Sequence, residues 1–411
     1  MSFKDFQLIK PLLKSIEASG YSQPTLVQER SIPIILEGKD LVASANTGTG
    51  KTASFVLPIL QQLIDFQDAP KRGKKIRALI LSPTRELAVQ TQETFKVLGQ
   101  FTNLRSMVVF GGTSIEPQIE QLKKGVDILV ATPGRLLDLH KQDYINLDYI
   151  QTLVLDEADL MLNLGFLDDV KKVERLCPKD KQTLLFSATI PEKIEQLGDQ
   201  LLKNPERVDV TTENSTVKEI NQSLYYVTKR NKISLCQHLL RNQIKGNVLI
   251  FRRTKFGVEK LEERLAEVGY KVDTLHGNKN QSERQTALNK FKNGYSKILI
   301  ATDVASRGID IDSLDNVLNF DLPNVPETYV HRIGRTGRAG ETGMSFAFCS
   351  PDEKNYVKAI ETFTNQPIPV VDDHPYPMDP NTKSTVHKKK GSKYKKGRKG
   401  EGAKSRKKRW Y

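Results

Sequence analysis

Cysteine and long apolar runs are the scarcest features of this 411-residue chain. Its three cysteines, Cys177, Cys236 and Cys349, lie far apart and form no Cys-x-x-Cys pair. Their spacing argues against a disulfide framework or a zinc knuckle, and it predicts a reducing compartment. No apolar run approaches about 18 residues, and the N-terminus lacks the apolar segment of a secretory signal. We therefore predict a cytoplasmic protein with no membrane-spanning segment.

Acidic residues are almost absent from the C-terminal end. Residues 381–411 carry 14 lysines and arginines against one acid, whereas the remainder is nearly neutral, although the whole chain has a net charge of +14. Together with the Pro- and Asp-rich stretch before it, this composition predicts a disordered basic tail over residues 369–411. Such a tail can gain affinity for nucleic acid by releasing counterions, or it can simply keep the chain solvated.

Short apolar runs alternate with helical patterns along the chain. Because the runs are apolar on both faces, they predict parallel sheets covered by helices. The series stops near residue 205, the polar residues 211–219 suit a linker, and the series then restarts. We predict an α/β protein of two tandem domains, residues 1–210 and 217–368, followed by the tail. The predicted strands centre on residues 41–43, 78–81, 107–110, 128–131, 153–155 and 183–186, and then on 223–227, 247–251, 297–301, 317–320 and 345–348.

A glycine-rich loop follows the first apolar run. It has the sequence Ala45-Asn46-Thr47-Gly48-Thr49-Gly50-Lys51-Thr52 and precedes a helix-forming run. Strand, loop and helix N-terminus form the context of a Walker A loop, whose backbone N–H groups and helix dipole bind phosphate. We predict that Lys51 contacts the β and γ phosphates and that the Thr52 hydroxyl faces Mg²⁺. The alternative is a glycine turn before an ordinary helix.

Acidic residues follow the apolar run that ends at Leu155. The sequence Asp156-Glu157-Ala158-Asp159 stands where the carboxyl end of a parallel strand presents residues to ligands. We predict that Asp156 holds Mg²⁺, directly or through water, and that Glu157 polarises the attacking water. Taken alone, these residues could also be the solvated start of a helix.

Asp-Glu-Ala-Asp is the naming motif of the DEAD-box RNA helicases, and the chain resembles that family over about residues 1–368. The resemblance is closest to the short bacterial members, the RhlE-like group. It implies two RecA-like domains, RNA-stimulated ATP hydrolysis, and ATP with Mg²⁺ as ligands. One departure is Asn46, where the family usually has Gln. The other matching motifs, in the family's order, are Gly20-Tyr21 with Gln28, Pro83-Thr84-Arg85-Glu86-Leu87-Ala88, Gly111-Gly112, Thr132-Pro133-Gly134-Arg135, Ser187-Ala188-Thr189, Phe251-Arg252-Arg253-Thr254, Gln281 with Arg284, Ala301 to Asp310, and His331 to Arg338.

The resemblance assigns roles in the first domain. Tyr21 is expected to stack on adenine, although it could be a core aromatic, and Gln28 is expected to read the adenine edge. Ser187 and Thr189 are expected to link the ATP and RNA sites. The nucleotide loop comprises Thr47, Gly48, Thr49, Gly50, Lys51 and Thr52, and the RNA path comprises Pro83, Thr84, Arg85, Gly112, Thr132, Pro133, Gly134 and Arg135.

The resemblance also assigns roles in the second domain. Arg335 and Arg338 are expected to be arginine fingers on the γ-phosphate, since planar guanidinium groups match phosphate oxygens. His331 and Arg332 are expected to contact the first-domain acidic motif and the run that starts at Ala301. The remaining assignments place Gly308 and Asp310 at the nucleotide, and Arg253, Gln281, Arg284 and Thr302 at the RNA.

These observations together predict an ATP-dependent RNA helicase that locally separates RNA strands. RNA is the expected partner, ribosome-assembly or RNA-degradation proteins are candidate protein partners, and a monomer is expected. One rival is a DNA helicase of the same superfamily. The other is a catalytically silent RNA clamp, against which the intact Lys51, Asp156, Glu157 and Arg335 argue.

Overall fold

The computed structural model describes residues 1–45, 48–65, 75–210, 220–303, 314–337, 343–379 and 382. Two parallel sheets, one of seven strands and one of six, divide these residues into two α/β domains flanked by helices. The predicted fold class is therefore confirmed. Residues 211–219, predicted to be a linker, and residues 383–411, most of the predicted tail, lie outside the described residues.

The first domain opens with two helices and then alternates strands with helices. Its central strands bury both faces. In β2, Ala78 and Ile80 pack on one side of the sheet, while Leu79 and Leu81 pack on the other. The elements are α1 Lys10–Ala18, α2 Leu26–Leu36, β1 Leu41–Ser44, α3 Lys51–Asp65, β2 Ala78–Leu81, α4 Arg85–Leu98, β3 Ser106–Val109, α5 Glu116–Lys123, β4 Ile128–Ala131, α6 Pro133–Lys141, β5 Thr152–Leu155, α7 Ala158–Asn163, α8 Leu167–Leu176, β6 Gln182–Ser187, α9 Glu192–Leu201 and β7 Glu206–Asp209.

The second domain repeats the alternation without a second glycine-rich phosphate loop. Its strands also carry apolar clusters on both faces, as Ile250 and Leu249 of the central β9 illustrate. The elements are β8 Ile220–Tyr226, α10 Lys232–Asn242, β9 Val248–Phe251, α11 Lys255–Ala266, β10 Val272–Leu275, α12 Gln281–Lys292, β11 Ile298–Ala301, β12 Asn316–Asn319, α13 Pro326–Ile333, β13 Gly343–Cys349 and α14 Lys354–Thr364.

Strand order determines which loops become neighbours. The first sheet has the order β3-β4-β2-β5-β6-β1-β7 and the second has β10-β11-β9-β12-β13-β8, and every pairing is parallel. All carboxyl ends within one sheet therefore lie at the same edge, which we call the carboxyl edge, and all strands start at the opposite, amino edge. In open α/β sheets, ligands bind at the carboxyl edge.

The start of the predicted tail needs correction. The N–H of Leu224 donates to the carbonyl of Pro369 at 2.8 Å, and the N–H of Val371 donates back to Leu224 at 2.9 Å. His374 is buried with its ring against Tyr225, and Met378 is also buried. Residues 369–379 therefore pack along the edge strand β8, because that strand offers unpaired backbone groups that an extended segment can satisfy.

Two further observations bear on the composition argument. Cys177, Cys236 and Cys349 are buried free thiols. Within the described ranges, no helix combines the length and the apolar character that crossing a membrane requires.

Candidate nucleotide and RNA sites

The sheet order of the first domain separates two groups of motifs along the carboxyl edge. The glycine-rich loop, residues 156–159 and residues 187–189 follow β1, β5 and β6, which are adjacent strands. Residues 83–85, 111–112 and 132–135 follow β2, β3 and β4, which form the other half of the sheet. The predicted nucleotide motifs therefore lie side by side, and so do the predicted RNA motifs.

The phosphate loop has the backbone that such a loop needs. Gly48 and Gly50 have φ values of 81° and 91°, a region that residues with a side chain rarely adopt, and α3 begins directly afterwards at Lys51. A Cβ added to Gly50 would lie 2.4 Å from Gln28 Nε2, so the loop also needs glycine for packing. Thr49 and Thr52 lie within the same turn, whereas Thr47 lies outside the described residues.

Lys51 and Glu157 face each other in the interior. Lys51 Nζ lies 2.9 Å from Glu157 Oε1, and both side chains are largely buried. Although this ion pair forms, Lys51 Nζ makes no hydrogen bond of normal geometry with any described residue. A buried ammonium group with unused donors fits a phosphate ligand.

Glu157 has a strained backbone. It precedes α7 with φ 54° and ψ 56°, the left-handed region that non-glycine residues occupy at a cost of about 1–3 kcal/mol. Such strain concentrates at functional positions, where the surrounding structure maintains it. Here it turns the carboxylate from the end of β5 towards Lys51.

Asp156 is a buried carboxyl group with a perturbed pKa. Burial, followed by the neighbouring charge of Glu157, raises the pKa of Asp156 to about 7, while Lys51 opposes the shift. The Thr91 hydroxyl lies 3.4 Å from Asp156 Oδ2. A buried oxygen ligand beside a phosphate loop has the chemistry that Mg²⁺ requires.

Asp159 connects the acidic motif to the end of β6. Its N–H donates to Ser187 Oγ at 3.1 Å, and its Oδ2 accepts from the Thr189 N–H and hydroxyl at 3.2 Å and 3.1 Å. The Ser187 hydroxyl in turn donates to the Thr189 carbonyl at 2.7 Å. These hydrogen bonds therefore couple residues 156–159 to residues 187–189, so that a shift of one motif displaces the other.

Of the two residues predicted to bind adenine, Gln28 contacts the phosphate loop and Tyr21 is partly exposed. Gln28 is buried, with Nε2 donating to the Gly50 carbonyl at 3.1 Å and Oε1 accepting from the Thr25 N–H at 2.9 Å. Tyr21 is 40% exposed, with one edge against Phe3, so it is not a core aromatic. Gln28 thus connects the predicted base site to the phosphate loop, through a contact that could not be predicted from the sequence.

Arg85 and Gly112 fit each other closely in the RNA half. Gly112 has φ 75°, and a Cβ there would lie 1.7 Å from Arg85 Nη2. Burial lowers the pKa of Arg85; the nearby Glu86 opposes the shift, and Arg284 and Arg135 add to it. Three guanidinium groups that repel one another are an arrangement that a polyanion stabilises.

The remaining predicted RNA residues of the first domain follow β2 and β4. Arg135 donates from Nη2 to the Thr113 carbonyl at 2.9 Å, while its buried Nη1 has no hydrogen-bond partner among the described residues. The Thr84 hydroxyl caps α4 by accepting from the Leu87 N–H, and Thr132 precedes α6. Pro83 leads into that cap, Pro133 begins α6, and Gly134 faces open space.

Arg284 links the two domains. It lies on α12 of the second domain, and its Nη2 is 3.0 Å from Oε1 of Glu86, the residue after Arg85 in the first domain. The carboxyl edges of both domains therefore face the same space. Glu86 had no predicted role of its own, because only the tertiary structure brings it to Arg284.

The predicted RNA residues of the second domain follow adjacent strands, in the same way as those of the first domain. Thr302 follows β11, Arg253 follows β9, and Gln281 and Arg284 lie on α12 after β10. Arg253 Nη2 donates to the Leu322 carbonyl at 2.8 Å and pairs with Glu353 at 3.2 Å, yet half of the side chain stays exposed.

One assignment in the second domain is wrong in part. Arg332 was expected at the first-domain acidic motif, but its guanidinium is buried within its own domain. It makes a bidentate pair with Asp303 at 2.6 Å and 2.9 Å and donates to Asn319 Oδ1 at 2.9 Å. Because Asp303 belongs to the run that starts at Ala301, the other half of the expectation, a contact with that run, is confirmed.

Only one of the two predicted arginine fingers, Arg335, lies within the described residues. His331 lies in the last turn of α13, and Arg335 follows it, each half-buried. Four other predicted site residues lie outside the described residues: Thr47, Gly308, Asp310 and Arg338. The side chain of Gln281 is likewise outside them.

The chain has two parallel α/β domains, with a phosphate loop on the first and arginines that converge from both. This combination is typical of an enzyme that uses a nucleotide to act on nucleic acid. Comparison with known proteins agrees. The family models described as DEAD/DEAH box helicase and helicase conserved C-terminal domain match residues 25–197 and 231–340. The chain is 45% identical over 366 residues to the ATP-dependent RNA helicase CshA of Limosilactobacillus reuteri, covering 89% of this chain and 72% of that protein. It belongs to the DEAD-box family of ATP-dependent RNA helicases.

Solved structures agree with this identification. Dbp5 of S. cerevisiae bound to RNA and ADP BeF3 superposes with a TM-score of 0.80 at 33% identity, covering 90% of this chain and 95% of that one. A Dbp5 variant bound to Nup159, a Gle1 variant, IP6 and ADP gives a TM-score of 0.61 at 31% identity, with 90% and 96% covered. The chain is thus an ATP-hydrolysing RNA helicase, and the predicted family and activity are confirmed. Its place in the RhlE-like group stays a prediction.

Proposed function

We propose that the chain closes its two domains over ATP and single-stranded RNA, and that this closure separates short RNA duplexes. The contact between Glu86 and Arg284 carries the proposal, because it joins the domains among the RNA-facing arginines. Similarity to Dbp5 supports it as well: the TM-score is higher with the form bound to RNA and ADP BeF3 than with the form bound to ADP and proteins. The relative arrangement of the two domains therefore resembles that of a closed enzyme.

In this proposal, the ionic partner of Lys51 changes when ATP binds. Its ammonium group leaves Glu157 for the β and γ phosphates, while the N–H groups around Gly48 and Gly50 cradle the same oxygens. The exchange releases the Glu157 carboxylate. It can then accept a proton from the water that attacks the γ-phosphorus as the bond to the β-phosphate oxygen breaks.

Mg²⁺ fits beside this site. The Thr52 hydroxyl and Asp156 would hold the ion, which neutralises charge on the phosphate oxygens. Asp156 is buried with a raised pKa, so a cation next to it would favour the ionised carboxylate. Tyr21 and Gln28 are proposed to hold adenine between an exposed ring and a side-chain amide.

The second domain supplies the remaining parts in this proposal. Arg335 and Arg338 stabilise the charge that develops on the γ-phosphate, His331 contacts the acidic motif, and Gly308 and Asp310 hold the ribose side of ATP. RNA phosphates run between two rows of residues, one on each domain. The rows comprise Pro83, Thr84, Arg85, Gly112, Thr132, Pro133, Gly134 and Arg135 in the first domain, and Arg253, Gln281, Arg284 and Thr302 in the second.

The experiment compares RNA with DNA of the same sequence as activators of phosphate release by the full chain, with and without Mg²⁺. We expect single-stranded RNA to stimulate turnover, DNA to stimulate it far less, and EDTA to abolish it. The same samples are then tested on a short RNA duplex with a single-stranded overhang. Equal stimulation by DNA contradicts the RNA path, and RNA binding without ATP-dependent strand release favours the silent clamp.

A further inference from the structure

The second domain has a concave surface on the side that faces away from the predicted RNA residues. It is a hollow of about 440 Å³ at the amino edge, between the starts of β9 and β11 and the turn before β10. This volume falls within the range of about 300–1,000 Å³ that ligand pockets have. Strands of four residues span about 13 Å, so the hollow is separated from Arg253 and Thr302 by the depth of the sheet.

The floor of the hollow is apolar. Leu240 and Ile244, at the end of α10, meet the first residues of β9 and β11, Val248 and Ile298. Three of these four side chains are almost completely buried. The floor is therefore continuous with the core and offers no hydrogen bond to a polar ligand.

Aromatic residues line one side of the hollow. Tyr295 is 60% exposed and Tyr270 is half-buried, and the adjacent Val268 is 51% exposed. Lys271 Nζ and Lys290 Nζ lie 4.5 Å and 5.6 Å from the centre of the Tyr295 ring. Exposed rings held in place in this way are typical of interaction surfaces, where they add contact area at little entropic cost.

Lysines line the other sides. Lys245, Lys271 and Lys297 are exposed, and none of them has an ion-pair partner in the part of the chain that the structure describes. The carboxylates in the same loops are engaged: Asp315 Oδ2 accepts from the Asn247 N–H, and Asp273 Oδ2 accepts from the Ser296 hydroxyl. Both carboxylates keep their charge, but Lys290 also lies on this side, so four lysines stand against two carboxylates and the rim is net positive around an apolar floor.

We propose that this hollow docks an acidic segment of a partner protein, which inserts one or two large apolar side chains between the lysines. Charge complementarity selects the acidic residues, and the apolar floor selects the anchors. The chain's own tail is excluded as the occupant by its positive charge. An RNA strand would use the lysines and Tyr295 but would leave the apolar floor without a partner. A partner bound at the amino edge leaves the carboxyl edge free for ATP and RNA. It can therefore recruit the helicase without blocking ATP turnover.

The test uses the full chain and a fluorescein-labelled peptide of 12 residues that consists of Asp and Glu around two tryptophans. The rim variant carries Lys271→Glu and Lys297→Glu. A control variant carries Lys260→Glu and Lys358→Glu, two exposed lysines elsewhere on the same domain. Because both variants keep the basic tail and change the net charge equally, by two Lys→Glu substitutions each, non-specific attraction is matched between them, and the difference between the two variants isolates the hollow.

We expect the rim variant to bind the peptide about tenfold more weakly than wild type, and the control variant to stay within about twofold. Replacing both tryptophans by alanine should weaken binding to wild type but not further to the rim variant. RNA-stimulated ATP turnover at saturating RNA should be unchanged in both variants. Equal peptide affinity in the two variants, or no binding to wild type, overturns the proposal. Loss of labelled oligo-uridine binding with unchanged peptide binding identifies RNA as the occupant and overturns it as well.

Discussion

Replacing Gly112 by alanine should weaken RNA and leave ATP binding intact. The added Cβ would lie 1.7 Å from Arg85 Nη2, whereas non-bonded heavy atoms prefer about 3.5–4.0 Å. The guanidinium group must therefore retreat by about 2 Å, out of reach of the phosphate that we propose it binds. The φ of 75° adds about 1–2 kcal/mol of backbone strain in alanine.

The magnitude follows from the contact that is lost. A hydrogen bond to a charged group contributes about 1.5–3 kcal/mol, which corresponds to about a 10- to 100-fold change in affinity. The RNA concentration for half-maximal ATP turnover should rise by about that factor. Maximal turnover should fall much less, because the nucleotide motifs follow other strands.

The assay measures phosphate release against RNA concentration for wild type, Gly112→Ala and Gly111→Ala. Gly111 is the matched control, because it has no atom within 4 Å of an added Cβ and its φ is not positive. A fluorescent ATP analogue reports nucleotide affinity in the same proteins. Thermal unfolding reports the backbone strain separately.

A double-mutant cycle with Arg85→Ala decides whether the effect acts through Arg85. If it does, Gly112→Ala should cost little more in the Arg85→Ala background. The reasoning is refuted if Gly112→Ala and Gly111→Ala have the same half-saturating RNA concentration. It is also refuted if the two substitutions are additive in the cycle.

Three further predictions concern the adenine site, the tail and the second-domain interior. Gln28→Ala should weaken ATP about tenfold and tripolyphosphate far less, since the base contact is lost while only one hydrogen bond to the phosphate loop, at the Gly50 carbonyl, goes with it; equal ATP and GTP use by wild type would show that Gln28 does not read adenine. Removing residues 383–411, which carry 14 lysines and arginines, should flatten the salt dependence of RNA affinity without changing turnover at saturating RNA; an unchanged slope argues that the tail only solvates the chain. Arg332→Met should lower the free energy of unfolding of the second domain in urea by about 3–5 kcal/mol, because it removes a buried guanidinium group that pairs with Asp303 and donates to Asn319. The control Arg264→Met breaks an exposed pair and should cost about 0–1 kcal/mol, and equal costs would contradict the assignment.

The central strands could be predicted from the sequence because burial on both faces leaves a continuous apolar run. Two edge strands could not. In β7, Val208 is the one buried residue of four, and β10 begins with half-buried Val272 and Asp273. A strand with one neighbour is partly exposed, so its sequence resembles a polar loop.

The predicted end of the second domain, residue 368, was too early for a related reason. Residues 369–379 are rich in Pro and Asp and lack periodicity, yet His374 and Met378 are buried beside β8. Their order comes from backbone groups that the edge strand leaves unpaired. No local pattern records such a contact.

Motif order was enough to predict which residues gather at the site, since the strand ends of a parallel sheet lie at one edge. It could not predict their present partners. Lys51 pairs with Glu157, Gln28 supports Gly50, and Glu86 reaches Arg284 across the cleft. Each contact joins distant parts of the chain, and only tertiary packing decides it.

The most direct test of the account is the RNA dependence of phosphate release by wild type and by Glu157→Gln. Wild type should be strongly stimulated by single-stranded RNA. Glu157→Gln should lose about 10²–10⁴-fold in turnover, because the attacking water no longer has a base, while the ATP analogue and RNA still bind. Turnover near that of wild type in Glu157→Gln, or a wild type that RNA does not stimulate, would contradict the account.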